Sequence, residues 1–246
     1  MRKILYLLTN FFKIPRFIIN YYKFEKISVK YSKRFVQKFR EVLPIFKEDT
    51  VDMGFDHHYV YHTAWAAKVL RELDCKSHYD FSSSLMFCSI ISAFMEVHHY
   101  DYRAPDISLD NLYVGTANLV NLPFESNSVE SLSCMHVIEH IGLGRYGDTL
   151  DPEGDLKAAK ELIRILRLGG YLLMVVPMGE ESIIRFNAHR IYNYQTLVNM
   201  FQDLDLVEFT FWNDKSDNFK RHSDLSDIKD SEYGCGCFVF RKPKKS

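Results

Sequence analysis

His136, Glu139 and His140 stand in the order HxxEH within CMHVIEHIGLGRYGD, Cys134 to Asp148. Two imidazoles and a carboxylate at that spacing have two chemical uses. On one continuous helix they hold zinc, with the glutamate activating a water. In a turn they serve proton transfer, because the His140 ring takes up a proton near neutral pH and Glu139 can orient it or a substrate. The metal reading needs a helix across all five positions and a third ligand. VESLSCMHV reads as a strand, glycines follow at 142 and 144, and the sequence offers no assignable third ligand. A zinc hydrolase is therefore the weaker reading, and His140 is the residue expected to move a proton unless it merely fills the turn.

Other residues of chemical interest lie where strands should end. SHYDFS ends its strand at Asp80, and MEVHHYDY ends near Asp101. That separation is close to the 20 residues at which a second carboxylate meets ribose hydroxyls in nucleotide-binding units; spacing alone leaves a surface aspartate equally open. Arg145, Tyr146 and Asp148 occupy a glycine-flanked loop, and Asn187, His189 and Arg190 follow the strand ending at Pro177. Polar groups in such loops suit substrate contact. Arg145 and Arg190 could clamp a phosphate or carboxylate, or form surface ion pairs.

The elements that must carry these residues alternate in type. A helical pattern runs from about Tyr59 through AWAAKVLRELD, with Ala64, Ala67, Val69 and Leu70 as its apolar face. A short helix fits SSLMFCSIISAF, and strands fit LYVGTA and ESLSCMHV. DLKAAKELIRILR carries an apolar stripe of helical period, with Asp151-Pro152 or Asp155 to cap it and Gly169-Gly170 to stop it. YLLMVVP is a strand covered on both faces, YNYQTLVNMFQDL a helix, and DLVEFTFW and GCGCFVFRK the closing strands. Strands alternating with helices need crossovers, which predicts a doubly wound, mostly parallel α/β sheet with helices on both faces. Its ligand crevice lies beyond the carboxyl ends of the strands.

Composition sets the boundaries of the reading. Of 246 residues, 47% are hydrophobic and 26% charged, which suits one sizeable core behind an appendage. Residues 1–50 carry a charge of +8 and the remainder −9. We read 1–50 as a basic, aromatic-rich helical arm and 51–246 as the α/β domain. The arm's apolar run is too short and too interrupted for a membrane span or signal peptide. It either packs on the domain or lies on an anionic membrane surface. The net charge of −1 gives no field for nucleic acid. Five unevenly spaced cysteines point to a reducing, cytoplasmic setting, peripheral at the inner membrane face if the arm binds lipid. Cys235 and Cys237 fall on one face of a strand and are expected to be buried structural thiols.

The block NLPFESNSVESLSCMHVIEHIGLGRYGD, with LKAAKELIRILRLGGYLLMVVPMG, resembles the middle of a class I S-adenosylmethionine-dependent methyltransferase. IEHIGLGRYGD and FNAHRIY are similar to an uncharacterised bacterial methyltransferase-like family often associated with surface-glycan gene clusters. The likeness covers about residues 57–215. It implies a Rossmann-like fold with S-adenosylmethionine as cofactor, and a saccharide or other small molecule as acceptor in polysaccharide biosynthesis. Position by position, it implies cofactor contacts at Asp80, Ser82, Ser83, Asp101, Thr116, Ala117 and His136, with Ser82 where the family usually has glycine. His140, Glu139, His189 and Arg145 would serve catalysis. No metal ligand is assigned: some ubiquinone-type O-methyltransferases bind a divalent ion at an ExxEH in this place, but that alternative is not favoured here. A second alternative is a non-catalytic relative that keeps the fold as a binding or scaffolding protein.

Overall fold

The computed structural model describes residues 11–30, 35, 37–46, 48, 51 and 53–244. The first ten residues of the basic arm, and several positions between 31 and 52, lie outside the described residues. The chain divides into two compact units, Met1–Phe55 and Asp56–Ser246. In the first, helix α1 (Ile14–Lys30) buries none of its residues and exposes Ile18, Ile19, Phe24 and Ile27 beside its lysines. No described helix is long and apolar enough to cross a membrane.

The second unit begins with α2 (His57–Leu73), which starts at Asp56, whose carboxylate accepts the Tyr59 amide. There follow β1 (Ser77–Phe81), α3 (Leu85–Ile91), β2 (Glu96–Asp101), β3 (Leu112–Thr116) and β4 (Val129–Met135). Next come α4 (Gly154–Ile165), β5 (Leu166–Met178), β6 (Ile183–Arg185), β7 (His189–Ile191) and α5 (Tyr194–Met200). The chain closes with β8 (Asp205–Asn213), β9 (Asn218–Lys220) and β10 (Gly234–Arg241). The main sheet has the order β3-β2-β1-β4-β5-β10-β8-β9, parallel from β3 to β5, with β10 antiparallel to both neighbours. Strands β6 and β7 form a separate hairpin. The order reverses between β1 and β4, the switch point at which such sheets open a crevice.

Three local readings change. The α4 helix stops at Ile165, not at Gly169-Gly170, because Leu166 turns to extended backbone and both glycines lie inside β5. Neither Asp151 nor Asp155 caps α4: Asp155 instead accepts from Tyr192 Oη, and Asp151 from the Glu153 amide. The buried face of α2 is His58, His62, Trp65, Ala66, Val69 and Leu70, one step around the helix from the stripe of Ala64 and Ala67. Trp65 fixes that rotation, since its ring is buried and its Nε1–H donates to Glu208 Oε1 at 2.8 Å.

Alternation divides the core between the two faces of the sheet. In β5, Leu172, Met174 and Val176 pack with α4, while Leu173 and Val175 pack with α2 and α3. In β10, Phe238 and Phe240 join the first cluster and Cys235, Cys237 and Val239 the second. The α2 side also carries buried polar groups. His78 on β1 bonds Ser131 Oγ and Ser133 Oγ of β4, both at 2.8 Å.

Burial pushes the His78 pKa down to about 4, against the ordinary 6.5. The unfolded chain therefore gains a proton near pH 6.5 that the folded chain takes only near 4, so stability falls as pH drops through that window. Urea unfolding at several pH values should give His78→Gln a slope smaller by up to about 1.4 kcal/mol per pH unit between 6.5 and 4. An unchanged slope would mean that the buried imidazole does not titrate in this way.

Candidate functional site

The crevice is built on one buried charge. Asp80, fully buried at the end of β1, accepts from His99 Nδ1 at 2.9 Å, from the Ser83 amide at 3.1 Å and from Ser133 Oγ at 2.5 Å. Burial opposes ionisation, but these donors hold the carboxyl below its ordinary pKa, while Asp80 raises that of His99 against its own desolvation. The result is an ion pair joining β1, β2 and β4. Ser83 extends it, because its Oγ accepts the Met135 amide at 2.9 Å and so ties the loop after β1 to the tip of β4.

Between these anchors Ser82 lies at φ +58, the left-handed region where glycine is usual. Its amide donates to Tyr100 O at 2.7 Å, and its hydroxyl donates to the same oxygen at 3.3 Å. The loop thus keeps a glycine-type backbone with a serine side chain directed to β2. His136, the first residue past β4, is also left-handed at φ +56. A short 3-10 turn, Ile138–His140, then carries the chain away.

Strand ends and turn enclose a cavity of about 310 Å³. Its lining includes Ser82, Asp101, Ala117, His136, His140 and Tyr146. That volume is of the size that takes a small ligand. Asp101 ends β2 on the wall and accepts the Arg103 amide through Oδ1 at 2.7 Å. Of the residues expected at the cofactor, Ser82, Asp101, Ala117 and His136 come together here. Asp80 and Ser83 lie outside the lining and position the loop instead. Thr116 sits at the exposed end of β3, also outside the lining.

His140 faces the cavity with its tautomer fixed. Its Nδ1–H donates to Ala188 O at 2.6 Å, leaving Nε2 with a lone pair 3.8 Å from Glu139 Oε1. Burial lowers its pKa, with Arg145 adding to the effect and Glu139 opposing it. The ring is neutral at pH 7. Arg145 Nη1 donates to the same Ala188 oxygen at 2.9 Å, so the β6–β7 turn holds both side chains. Glu139 is buried; Oε1 accepts from His136 Nδ1 at 3.1 Å, and Oε2 finds no partner among the described residues. His189 Nε2 is likewise buried without a partner, and its pKa is lowered by burial and by Arg185.

Two expected substrate contacts are structural. Arg190 is buried and does not clamp a ligand: its guanidinium donates to Ile141 O at 2.7 Å and Pro152 O at 3.3 Å, and lies 3.5 Å from Asp155. It latches the turn after β4 to the start of α4. Asp148 accepts the amides of Gly142 and Gly144 through Oδ2 and of Tyr146 through Oδ1, which organises its own loop. Gly142 is required there, since at φ +82 a Cβ would meet Asp151 O at 2.0 Å. The zinc-hydrolase geometry is absent, because β4 ends at Met135 and HxxEH spans a left-handed residue and a 3-10 turn instead of one α-helix.

Sequence reading missed a group beside His136. His58 Nδ1 lies 3.2 Å from His136 Nε2, and Cys235 Sγ lies 3.6 Å from the same nitrogen. Burial opposes charge on His136, but its bonds to Cys235 and Glu139 raise its pKa to about 10. The signal was present in HHYVYH: His58 and His62, four apart, share the face of α2 that carries Trp65 and Val69.

Residues 121–242 match the family model described as a Caenorhabditis protein of unknown function, DUF268. An uncharacterised protein of Methanocaldococcus jannaschii is 30% identical over 89 residues, which is 35% of this chain and 34% of that protein. The chain thus spans about a third of the length of this curated relative. Among solved structures, a SAM-dependent methyltransferase from Methanosarcina mazei aligns with TM-score 0.50 at 12% identity, over 72% of this chain and 98% of that one. The N-methyltransferase NodS from Bradyrhizobium japonicum, in complex with S-adenosyl-L-homocysteine, aligns with TM-score 0.50 at 13% identity, over 80% and 90%. The fold is the Rossmann-like one of SAM-dependent methyltransferases. At these identities the likeness concerns fold, and chemistry must be argued from the site.

The strain at Ser82 is open to measurement. A left-handed non-glycine residue costs about 1–2 kcal/mol, more than a long hydroxyl bond returns. Ser82→Gly should therefore raise unfolding stability by about 1 kcal/mol in denaturant titration; a loss would show that the bond to Tyr100 outweighs the strain.

Proposed function

We propose that the chain transfers a methyl group from S-adenosylmethionine to an oxygen or nitrogen of a small acceptor. The observation that carries this reading is the cavity at the β1/β4 switch point, lined by a left-handed Ser82 and, at the neighbouring tip of β2, by Asp101. These residues fit a nucleoside. The backbone around Ser82 can approach it closely, the Asp101 carboxylate can accept ribose hydroxyls, and Ala117 leaves room for a flat base. Bound there, the sulfonium supplies an electrophilic methyl.

The chain's own residues then align and deprotonate the acceptor. His140 Nε2 carries the lone pair that takes the acceptor's proton, and Ala188 O and Arg145 hold the ring in place. Glu139 lies outside the cavity lining and acts through His136, whose Nδ1 faces its Oε1 at 3.1 Å. Most of the rate enhancement would come from this alignment. A sugar or lipid-linked saccharide suits a pocket lined by Tyr146 and His140, since hydroxyls need acceptors and ring faces stack on aromatics. A peripheral membrane contact through the exposed apolar and basic side chains of α1 belongs to the same proposal.

Calorimetric titration with S-adenosyl-L-homocysteine tests the reading directly. Binding should be seen, and Asp101→Ala should weaken it by roughly 10-fold or more, the worth of a hydrogen bond to a charged group. No heat and no change in melting temperature at millimolar ligand would favour the scaffold alternative. With an acceptor in hand, His140→Ala should cut turnover by about 10²–10⁴ while leaving the affinity for S-adenosyl-L-homocysteine largely intact. The wild-type rate should rise with pH to half-maximum below 6.5, since the lowered His140 pKa keeps the base free there.

A further inference from the structure

The group between α2, β4 and β10 lies beyond the crevice chemistry. His58, His136 and Cys235 are all buried, and one ligand atom from each lies within 4.8 Å of the others. His58 Nε2 faces Tyr233 O at 3.1 Å, and a carbonyl can only accept, so that nitrogen carries the hydrogen. His136 Nδ1 faces the Glu139 carboxylate at 3.1 Å and carries its hydrogen in the same way. The inner nitrogens, His58 Nδ1 and His136 Nε2, point together at 3.2 Å, a spacing that one shared cation, a proton or a metal ion, can bridge.

We propose that His58 Nδ1, His136 Nε2 and Cys235 Sγ bind a zinc-class divalent ion. A tetrahedral ion with bonds of about 2.0–2.1 Å to nitrogen and 2.3 Å to sulfur needs N···N and N···S edges of about 3.3 and 3.6 Å. The chain has 3.2 Å between the nitrogens and 3.6 Å from His136 Nε2 to Cys235 Sγ, with all three ligand atoms within 4.8 Å of one another. Two imidazoles and a thiolate are the donors such an ion prefers. Each histidine is oriented through its outer nitrogen, one by a carboxylate and one by a carbonyl, as metal-bound histidines are. The ion would also offset the buried Glu139 charge, whose Oε2 has no partner among the described residues. His136 forms part of the cavity wall and gives a path for entry. Three protein ligands leave a fourth position for water or a substrate atom.

This set differs from HxxEH, of which it uses only His136. It differs also from the other buried triad, Asp80, Cys88 and His99, where the carboxylate already has three donors and needs no ion. Cys237 lies 3.9 Å from Cys235 Sγ on the same strand face and is outside the ligand group. The proposal is independent of methyl transfer, since it is read from metal content and spectrum.

The test uses the full chain purified without chelators and dialysed against micromolar zinc, with metal measured by mass spectrometry. About one zinc per chain is expected, falling at least tenfold in Cys235→Ser and in His58→Ala and retained in Cys237→Ser. A metal-free wild type, or undiminished zinc in Cys235→Ser, overturns the proposal. Cobalt titration of the wild type guards against a variant that fails to fold. A thiolate-to-cobalt charge-transfer band in the near ultraviolet supports the site, and bound cobalt without that band overturns it.

Discussion

A carboxylate taken wholly out of water at the end of β1 governs the shape of this molecule's crevice. An isolated buried charge costs several kcal/mol, and Asp80 is kept ionised only because an imidazolium, a hydroxyl and a backbone amide converge on it. Those donors come from β2, β4 and the loop after β1, so the interaction holds only when the three strands are in register. It acts at a distance from any ligand. What it delivers to the cavity is the placement of Ser82, between an amide bond to β2 and the Ser83 bridge to β4.

The same logic recurs on the other wall. His136 leaves β4 in a left-handed conformation and turns the chain into the segment bearing Glu139 and His140. Arg190 secures that segment by donating to its carbonyls, and the β6–β7 turn fixes the His140 tautomer through Ala188 O. The polar groups of the site are therefore held chiefly by backbone oxygens. Such acceptors do not move independently of the fold. Glu139 Oε2 and His189 Nε2 are the exceptions, buried polar atoms that the described residues leave unmatched. Unmatched groups of this kind mark where a protein waits for something else.

Most of the architecture was legible in the chain because periodicity reports burial. The run Tyr171 to Pro177 forms the interior of β5, and of the apolar stripe Leu156, Ala159, Leu162, Ile163 and Leu166 read in α4, Ala159 and Leu162 are buried in the helix while Leu156 is exposed and Leu166 begins β5. The Asp80 to Asp101 spacing marked two strand ends correctly. Where periodicity was broken by polar residues the reading slipped. His58 and His62 sit on the buried face of α2, so a search for apolar positions rotated that helix by one step. The helix pattern through Arg167 overruns the end of α4 at Ile165 because Gly169 and Gly170, which lie inside β5, resemble a helix terminator.

The sequence by itself determined the succession of the main strands and helices, the mostly parallel sheet and the two strand tips that border the crevice, because these follow from local pattern and chain direction. The place of His140 just past β4, where it lines the cavity, also follows from local pattern. Tertiary structure alone decided that Asp80 faces inward while Asp101 faces the cavity, and that Arg190 is a latch. It alone brought His58, His136 and Cys235 together, from an N-terminal helix, a middle strand tip and the last strand. Contacts between segments some 80 to 180 residues apart leave no periodic trace. They arise only when the reversed β10 inserts beside β5 and delivers its cysteines to the face that α2 covers.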